Sequence, residues 1–326
     1  MHDEKQRSGM TLIEVLTVFA IIGILTSLIS TAVVSARESA RSLQCSHNLK
    51  QIGVAIASYE SQHDLLPPGT IHKYALLPQL DAAVLFNHVR LPADSPVEAW
   101  GEIADKPLDL FICPSDPAPK ILEFGPETPA TYPRRIGATN YLSCYGSGAL
   151  RFGFNGLFGP VEDLYSPARP APGQVRLAQA RRGLSQTAAM SEAFHSGGQP
   201  TRLQTTWGIP AALVDPQDFD ALTDFCPRLP PQPSAYGWAN DGSGRGLPWY
   251  AGEWGAVSYN HALTPNQPSC TSSPGIPAFG LYTASSFQPS FVSVLWGDGH
   301  VAHVSQAIDL HVWRGAGQRV ESALVP

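Results

Sequence analysis

The sequence predicts an α+β protein: a long N-terminal helix, transmembrane in its first half and amphipathic in its second, packed on an antiparallel β-sheet head. Three observations predict it. Residues Gly9 to Ser35 form an apolar run whose single charge is Glu14. Beyond it, Cys45, Leu49, Ile52, Ile56 and Tyr59 recur at intervals of four, three, four and three, the stripe of a helix with one buried face. Near the C-terminus, Phe291–Trp296 and His300–Val304 flank Gly297-Asp298-Gly299. Asp-Gly between apolar runs marks a hairpin, because the tight turn needs positive φ.

The elements follow in order. The uncharged run spans ~20 residues, enough for the ~30 Å hydrocarbon core. A carboxylate at the bilayer centre costs roughly 2.5–3.5 kcal/mol and less near an interface, so Glu14 marks a functional position. No helix breaker lies between Gly23 and Gly53, and the helix is expected to run unbroken from Thr11 to Gln62. At 1.5 Å per residue that is about 78 Å. It stops before Pro67-Pro68-Gly69. Residues 10–35 suit lipid or a filament core, residues 36–62 continue as the amphipathic half, and 63–326 form the head.

In the head, Tyr74 to Val89 reads as short helix interrupted by Pro78, and extended pieces fall at Leu108–Cys113, Asn140–Tyr145 and Phe152–Phe158. Arg182 to Ser185 turns into a strand over Gln186–Ser191, and Ala307–Arg314 reads as a terminal helix ended by Gly315. About 199–252 the chain is rich in Pro, Gly, Asp and Trp without period, which predicts a loop-rich insertion.

Charged residues are only 15% of the chain, while Gly and Pro number 29 and 30, a composition that fits a loop-rich exported domain better than a helical cytosolic enzyme. The net charge is −6 and no basic patch argues for nucleic acid. Lys5 and Arg7 precede the apolar run and Arg37, Arg41 and Lys50 follow it, so the positive-inside rule does not fix the orientation. Five cysteines make disulfides possible in an oxidising compartment. Two bridges can be drawn in fifteen ways among Cys45, Cys113, Cys144, Cys226 and Cys270. Cys226–Cys270, bracketing a Pro/Gly-rich stretch, is the preferred pair, and Cys45 with Cys113 would staple helix to body. Free buried thiols are the alternative.

The candidate chemical sites are few. Asp298 and His300 would share one strand face, and with Glu192 or His261 they make the weak candidate for a metal site; a turn role for the aspartate is the plainer reading. His261 in Y-N-H lacks an identifiable nucleophile, and there is no G-x-S-x-G and no H-E-x-x-H. No catalytic residue and no cofactor is assigned. Residues Asp241 to Gly246 lack the Lys-Ser/Thr ending of a phosphate loop. Trp207, Trp238, Trp249 and Trp254, with Tyr236 and Tyr250, are either core anchors or a surface for stacking on sugars.

The leader ending in Gly9, then M-T-L-I-E and a retained apolar helix, resembles the signal of type IV prepilins and pseudopilins. That resemblance implies a leader over residues 1–9, cutting by a prepilin peptidase between Gly9 and Met10, methylation of the new terminus, and Glu14 as the assembly carboxylate facing a neighbouring subunit's N-terminus. Met10 stands where the family usually has Phe. Two other readings of the run remain: a signal peptide cut after Ala32 or Ala36, and an uncleaved anchor.

Further segments extend the resemblance. They are A-R-E-S-A-R-S-L-Q-C-S-H-N-L-K-Q-I-G at 36–53, L-P-P-G at 66–69, F-I-C-P-S-D-P at 111–117, N-Y-L-S-C-Y-G-S-G at 140–148, G-L-S-Q-T-A-A-M-S-E at 183–192, Y-N-H-A-L-T-P-N-Q-P-S-C at 259–270, S-S-F-Q-P at 285–289, V-L-W-G-D-G-H-V at 294–301 and W-R-G-A-G-Q-R at 313–319. With the leader they resemble bacterial prepilin-type proteins with the C-terminal H-X9-DG domain of unknown function, the DUF1559 family. The signature is degenerate here: Gln288 occupies the histidine position and only Asp298-Gly299 is kept. Thr31 stands where relatives usually have Pro.

The resemblance implies a pilin-like, non-enzymatic subunit of the cell envelope, in the cytoplasmic membrane by a single pass, its head outside the cytoplasm or at the cell surface after assembly. Its implied partners are the membrane, the prepilin peptidase and other pilin-like subunits. One alternative is a membrane-tethered domain binding a glycan or envelope component; another is a tethered hydrolase.

Overall fold

The computed structural model describes residues 11–69, 72–88, 97–124, 133–148, 154–159, 174–195, 206–208, 218–228, 244–250, 255–271 and 280–320. The chain divides into two compact units, Met1–Leu43 and Gln44–Pro326.

Helix α1, Leu12–His63, is continuous over 52 residues and runs through both units. In the first unit its apolar side chains are exposed, from Leu12 at 83% and Phe19 at 69% to Val34 at 66%. Its hydroxyls turn back on the helix: Thr26 donates to Ile22 O at 2.7 Å, Ser27 to Ile24 O at 2.9 Å and Thr31 to Leu28 O at 3.0 Å. These hydroxyls are thus satisfied within the helix, as hydrocarbon requires. Among the described residues α1 is the one helix long and apolar enough to cross a membrane.

In the second unit the spacing seen in the sequence becomes a buried stripe. Cys45, Leu49, Ile52 and Ile56 are buried in a core with Leu77, Ile103, Phe111, Tyr141, Met190, Trp249 and Leu295. Each such side chain contributes roughly 1.5–3 kcal/mol by leaving water.

Along the chain follow α2 (His72–Ala75), α3 (Ala83–His88), α4 (Val97–Ala104), β1 (Ile121–Glu123), β2 (Arg135–Gly137), β3 (Tyr141–Cys144), β4 (Ala188–Glu192) and β5 (Thr206–Gly208). Then come α5 (Phe219–Phe225), β6 (Ser258–Tyr259), β7 (Ser269–Thr271), β8 (Gly280–Leu281), β9 (Phe291–Trp296), β10 (Val301–Ser305) and α6 (Leu310–Gly317). The central sheet has the order β10-β9-β4-β3-β6, beside a three-stranded sheet β5-β7-β8 and the ribbon β1-β2. The class is α+β, as the sequence predicts, with a mixed sheet. Its first four strands are antiparallel, whereas β6 joins β3 in parallel and β5 joins β7 in parallel.

One irregularity decides which residues face which side. Ala188 of β4 pairs with Trp296 but Met190 pairs with Leu295, so two residues on β4 answer one on β9. Such a bulge flips the side-chain alternation beyond it. Ala188 therefore packs with Val292, Val294 and Trp313 of α6 on one face. Met190 packs toward α1 on the other. Glu192, opposite Tyr141, follows Met190 onto that face.

Several expectations are corrected. Leu108–Cys113 is no strand: Asp109–Phe111 is a 3₁₀ turn closed by Phe111 N to Leu108 O at 2.9 Å, and Cys113 N is taken by the Asn140 side chain at 3.0 Å. Phe154–Phe158 forms bends, with Gly156 N and Phe158 N bonded to Tyr145 O and Cys144 O, while Phe152 lies outside the described residues. The aperiodic 199–252 stretch contains β5 and α5, the latter started by Asp218, which accepts from Ala221 N at 2.9 Å. Helix α6 starts at Leu310, because Asp309 caps it by accepting from His311 N and Val312 N, and it passes through Gly315 to Gly317.

The helix-to-sheet contact leaves no space at Gly53, where a Cβ would lie 2.7 Å from Leu295 Cδ1. Gly53→Val is expected to lower the stability of the full chain in detergent by about 1–3 kcal/mol through overpacking. Thermal unfolding followed by circular dichroism checks it; an unchanged midpoint would mean that α1 does not seat on β9 at this depth.

Candidate functional site

The segments F-I-C-P-S-D-P, N-Y, S-E and S-S, far apart in sequence, meet at the end of β3 and β4. Cys45 of α1 and Cys113 are joined by a disulfide with Cα atoms 4.9 Å apart. Asn140, at the start of β3, organises the loop beside it. Its Oδ1 accepts from Cys113 N, and its Nδ2 donates to Asp116 Oδ2 at 2.6 Å and to Ala193 O at 3.1 Å. Asp116 also accepts from Ala118 N and lies 3.5 Å from His195 Nε2, both side chains fully buried. Burial holds the His195 imidazole below its ordinary pKa, with Asp116 pulling the other way.

Glu192 is the central acid of this cluster. Its Oε1 accepts from Ser293 N at 2.6 Å. Burial pushes its pKa up to about 7, against the hydrogen bonds from Ser293 and Ser286. Its carboxylate and the sulfurs of Cys45 and Cys113 lie within 4.8 Å of one another. That is the spacing of a three-ligand metal site, but the sulfurs are bonded to each other and offer no thiolate, the form that binds metal. A cavity of about 10 Å³, room for one water, is lined by Cys113, Asn140, Glu192, Phe194, Ser285 and Ser286. The sequence reading missed this cluster as a site; its signal was the presence of Cys, Asn, Asp, Glu and Ser in the segments singled out.

At the N-terminus, Glu14 sits in the third helical position after Thr11. Thr11 N donates to Glu14 Oε2 at 2.7 Å, Thr11 Oγ1 donates to the same oxygen at 2.9 Å, and Glu14 N reaches Thr11 Oγ1 at 3.4 Å. This is a reciprocal capping box. The carboxylate thus has partners within its own chain. Gly9 and Met10 lie outside the described residues.

The model of a protein of unknown function, DUF1559, matches residues 34–311, most of the chain. The chain belongs to the DUF1559 family. The prokaryotic N-terminal methylation motif matches residues 5–30, covering Gly9, Met10 and Glu14. No curated protein and no solved structure matches the chain. Neither matched family is an enzyme family.

In this DUF1559 protein the two halves of the signature are separated. Gln288 lies before β9, its N–H bonded to Ser286 Oγ and its carbonyl accepting from Asn266 Nδ2, whereas Asp298 lies in the turn after β9. Six strand residues, roughly 20 Å, stand between them. Asp298 accepts from His300 N at 3.1 Å and pairs with His300 Nδ1 at 2.6 Å. Partial burial would raise its pKa, but these bonds and the imidazole hold it below the usual range. Gly299 has φ of +84°, and its carbonyl accepts from Lys50 Nζ at 2.6 Å, so the turn is a latch on α1.

The weak candidate for a metal site, Asp298 and His300 with Glu192 or His261, is not brought together among the described residues. Glu192 is committed to Ser293, and His261 is stacked on Trp313 at 3.6 Å. Among the described residues the one grouping of three such side chains within ligand spacing is Cys45, Cys113 and Glu192, whose two sulfurs are closed in the disulfide. His261 is also unsuited to base chemistry: burial pushes its pKa down to about 3, with Nδ1 bonded to Trp313 O and Nε2 to the Tyr259 hydroxyl.

Trp207, Trp249 and Tyr250 are buried core anchors, Trp249 donating from Nε1 to Ile103 O. Tyr236, Trp238 and Trp254 lie outside the described residues, as do Asp241, Gly242 and Ser243. Cys226 and Cys270 form the second disulfide, tying α5 to β7 with Cα atoms 6.2 Å apart. Cys144 is free and buried, its thiol pushed up to about 12 by burial.

The Glu192 shift sets a pH dependence. The fold holds this proton more tightly than the unfolded chain, so its contribution is full below about pH 4.5 and is lost as pH rises through about 7. Glu192→Gln, neutral at every pH, is therefore expected to gain on the wild type by about 3 kcal/mol between the two limits, at about 1.4 kcal/mol per unit. Denaturant melts at pH 4.5 and pH 8.5 check it; a constant difference would show that the carboxyl titrates normally.

Proposed function

We propose that this chain is a pilin-like subunit of the type IV pilin or pseudopilin kind. It is cut after Gly9 by a prepilin peptidase, is methylated on Met10, and is held in the cytoplasmic membrane by the first half of α1 with its head on the far side. The observation that carries this reading is the methylation motif running directly into an exposed apolar helix whose one acid is Glu14. The partner of Glu14 in an assembly would be the α-amino group of Met10 in a neighbouring subunit. The capping box gives the carboxylate a resting state: Thr11 holds it until a cation arrives, and a charge-assisted bond is the stronger of the two.

The tethered-binder reading has less support, since Trp207, Trp249 and Tyr250 are core residues. The hydrolase reading also has less support, since the buried His261 has both ring nitrogens engaged.

The test has two parts. Mass spectrometry of the mature protein is expected to find Met10 as the first residue, carrying one methyl group; a start at Val33 or Arg37, or an intact leader, would refute processing. Glu14→Gln is expected to abolish self-association, read by cross-linking in membranes and by sheared surface fractions, while insertion and cleavage persist. Assembly undiminished in the variant would refute the role of Glu14.

A further inference from the structure

The two ends of the central sheet are finished differently. At one end β6 is two residues long, and both are buried. At the other, β10 runs from Val301 to Ser305 with His303 and Ser305 exposed and the rest half-exposed, whereas every residue of β4, inside the sheet, is buried. The register with β9 fixes where the β10 backbone points, because in an antiparallel pair only alternate residues bond to a given neighbour. Trp296 N donates to His300 O and Gln306 N to Ser290 O, so the bonded pairs between them are Ala302 with Val294 and Val304 with Val292. Val301, His303 and Ser305 therefore turn their backbone groups away from β9. Ser305 O is taken by Ile308 N at 3.1 Å. The three N–H groups, with the carbonyls of Val301 and His303, meet no partner among the described residues. Edge strands that must stay single are guarded by Lys, Pro or a bulge. Val-Ala-His-Val-Ser has no such guard, and its register is unbroken.

We propose that the β10 edge is a docking site for an extended segment of another protein, which joins the central sheet as a further strand with apolar residues on one face and acidic residues on the other. The backbone groups select an extended chain, as in other cases of strand addition. The two rims of the edge select its side chains. On the α6 side the edge is bordered by Val304, Ile308 and Leu310, partly buried against the cluster of Trp313. On the α1 side stand His303, with Nε2 at 3.2 Å from Ser46 Oγ, and Lys50, bonded to Gly299 O. Neither pairs with a carboxylate among the described residues. Asp298 is engaged by His300, whose ring lies over Trp296 on the other face. An incoming acid on the α1 side meets these cations, and opposite charges across neighbouring strands stabilise the pair.

A second copy of this chain is excluded as the occupant. Two β10 strands joined antiparallel are related by a two-fold axis normal to the sheet. Helix α1 lies along the sheet face, meeting it at Ser46, Lys50 and Gly53, so that axis would set the two copies of α1 antiparallel. Two chains inserted in one membrane by the start of that helix cannot meet so. This exclusion rests on the membrane anchoring proposed above; the backbone and rim contacts do not.

The experiment uses the full chain in detergent micelles and a fluorescein-labelled probe, Thr-Glu-Val-Glu-Val-Glu-Thr, with blocked ends. Paired antiparallel, its Glu residues oppose Val301, His303 and Ser305 and make the backbone bonds, while its Val residues cover the α6 side. Saturable binding is expected by fluorescence anisotropy. N-methylation of the central Glu is expected to weaken it about tenfold or more, as the loss of backbone hydrogen bonds would, and N-methylation of a Val, whose N–H faces solvent, to change it by less than about twofold. Replacing the Glu residues by Lys is expected to weaken it too. His303→Pro removes one outward N–H and spares the β9 ladder, so it is expected to lose binding at an unchanged melting midpoint. If this variant does not fold, the two N-methyl probes on the wild type decide. Hydrogen–deuterium exchange resolved to single amides gives a second readout: Val301 and His303 are expected to exchange faster than Ala302 and Val304, and to slow when the probe is added. No saturable binding, equal loss from both N-methyl probes, or slow exchange of Val301 and His303 in the free chain overturns the proposal. Slowing with chain concentration in the absence of the probe also overturns it, in favour of a second copy. The micelle experiment needs no membrane orientation, so its failure leaves the pilin-like reading untouched, and an unprocessed N-terminus leaves the docking edge untouched.

Discussion

The structure of the second unit depends on one contact: the α1 stripe of Cys45, Leu49, Ile52 and Ile56 seated on the sheet. Burial supplies the driving force, and directional contacts supply the register. Tyr141 donates its hydroxyl to Cys45 O, Asn48 donates to Ile112 O, and Lys50 donates to Gly299 O. Gly53 permits the approach that Leu295 needs. A helix held by apolar packing alone can rotate or slide at small cost. These polar contacts, with the Cys45–Cys113 bond, leave it one position.

The β4 bulge is the second constraint, because it decides what the helix meets. Without the extra residue between Ala188 and Met190, Glu192 would face the α6 side and Trp313, away from the disulfide. With it, the carboxyl lies beside the disulfide and the Asn140 loop. The same element thus sets the packing and the chemistry.

The two halves of α1 obey different solvents. From Leu12 to Val34 the apolar side chains stay outward and the hydroxyls of Thr26, Ser27 and Thr31 bond their own helix. From Cys45 onward one face is buried. Glu14 fits the first regime only because Thr11 satisfies it, which makes an acid tolerable near the end of an apolar helix and leaves it available to a stronger partner.

Much of this was legible in the sequence for physical reasons. The stripe on α1 declares itself through period, because burying one face fixes the spacing of apolar residues; the hairpin at Gly297 to Gly299 declares itself through Asp-Gly between apolar runs, and β3 and β4 as short extended pieces bounded by turn residues. The lone Glu14 and the family segments were equally plain. By contrast, Leu108–Cys113 looks like a strand in composition but spends its hydrogen bonds on its own turn and on Asn140, and β5 is too short to show a period. Sequence alone determined a membrane-length helix with one acid, joined to an α+β head. Only the tertiary structure decided that Gln288 and Asp298 sit at opposite ends of β9, that His261 is buried against Trp313, and that Glu192 lies beside a disulfide. Those outcomes turn on a one-residue bulge and on contacts across the chain, and neither leaves a period in the sequence.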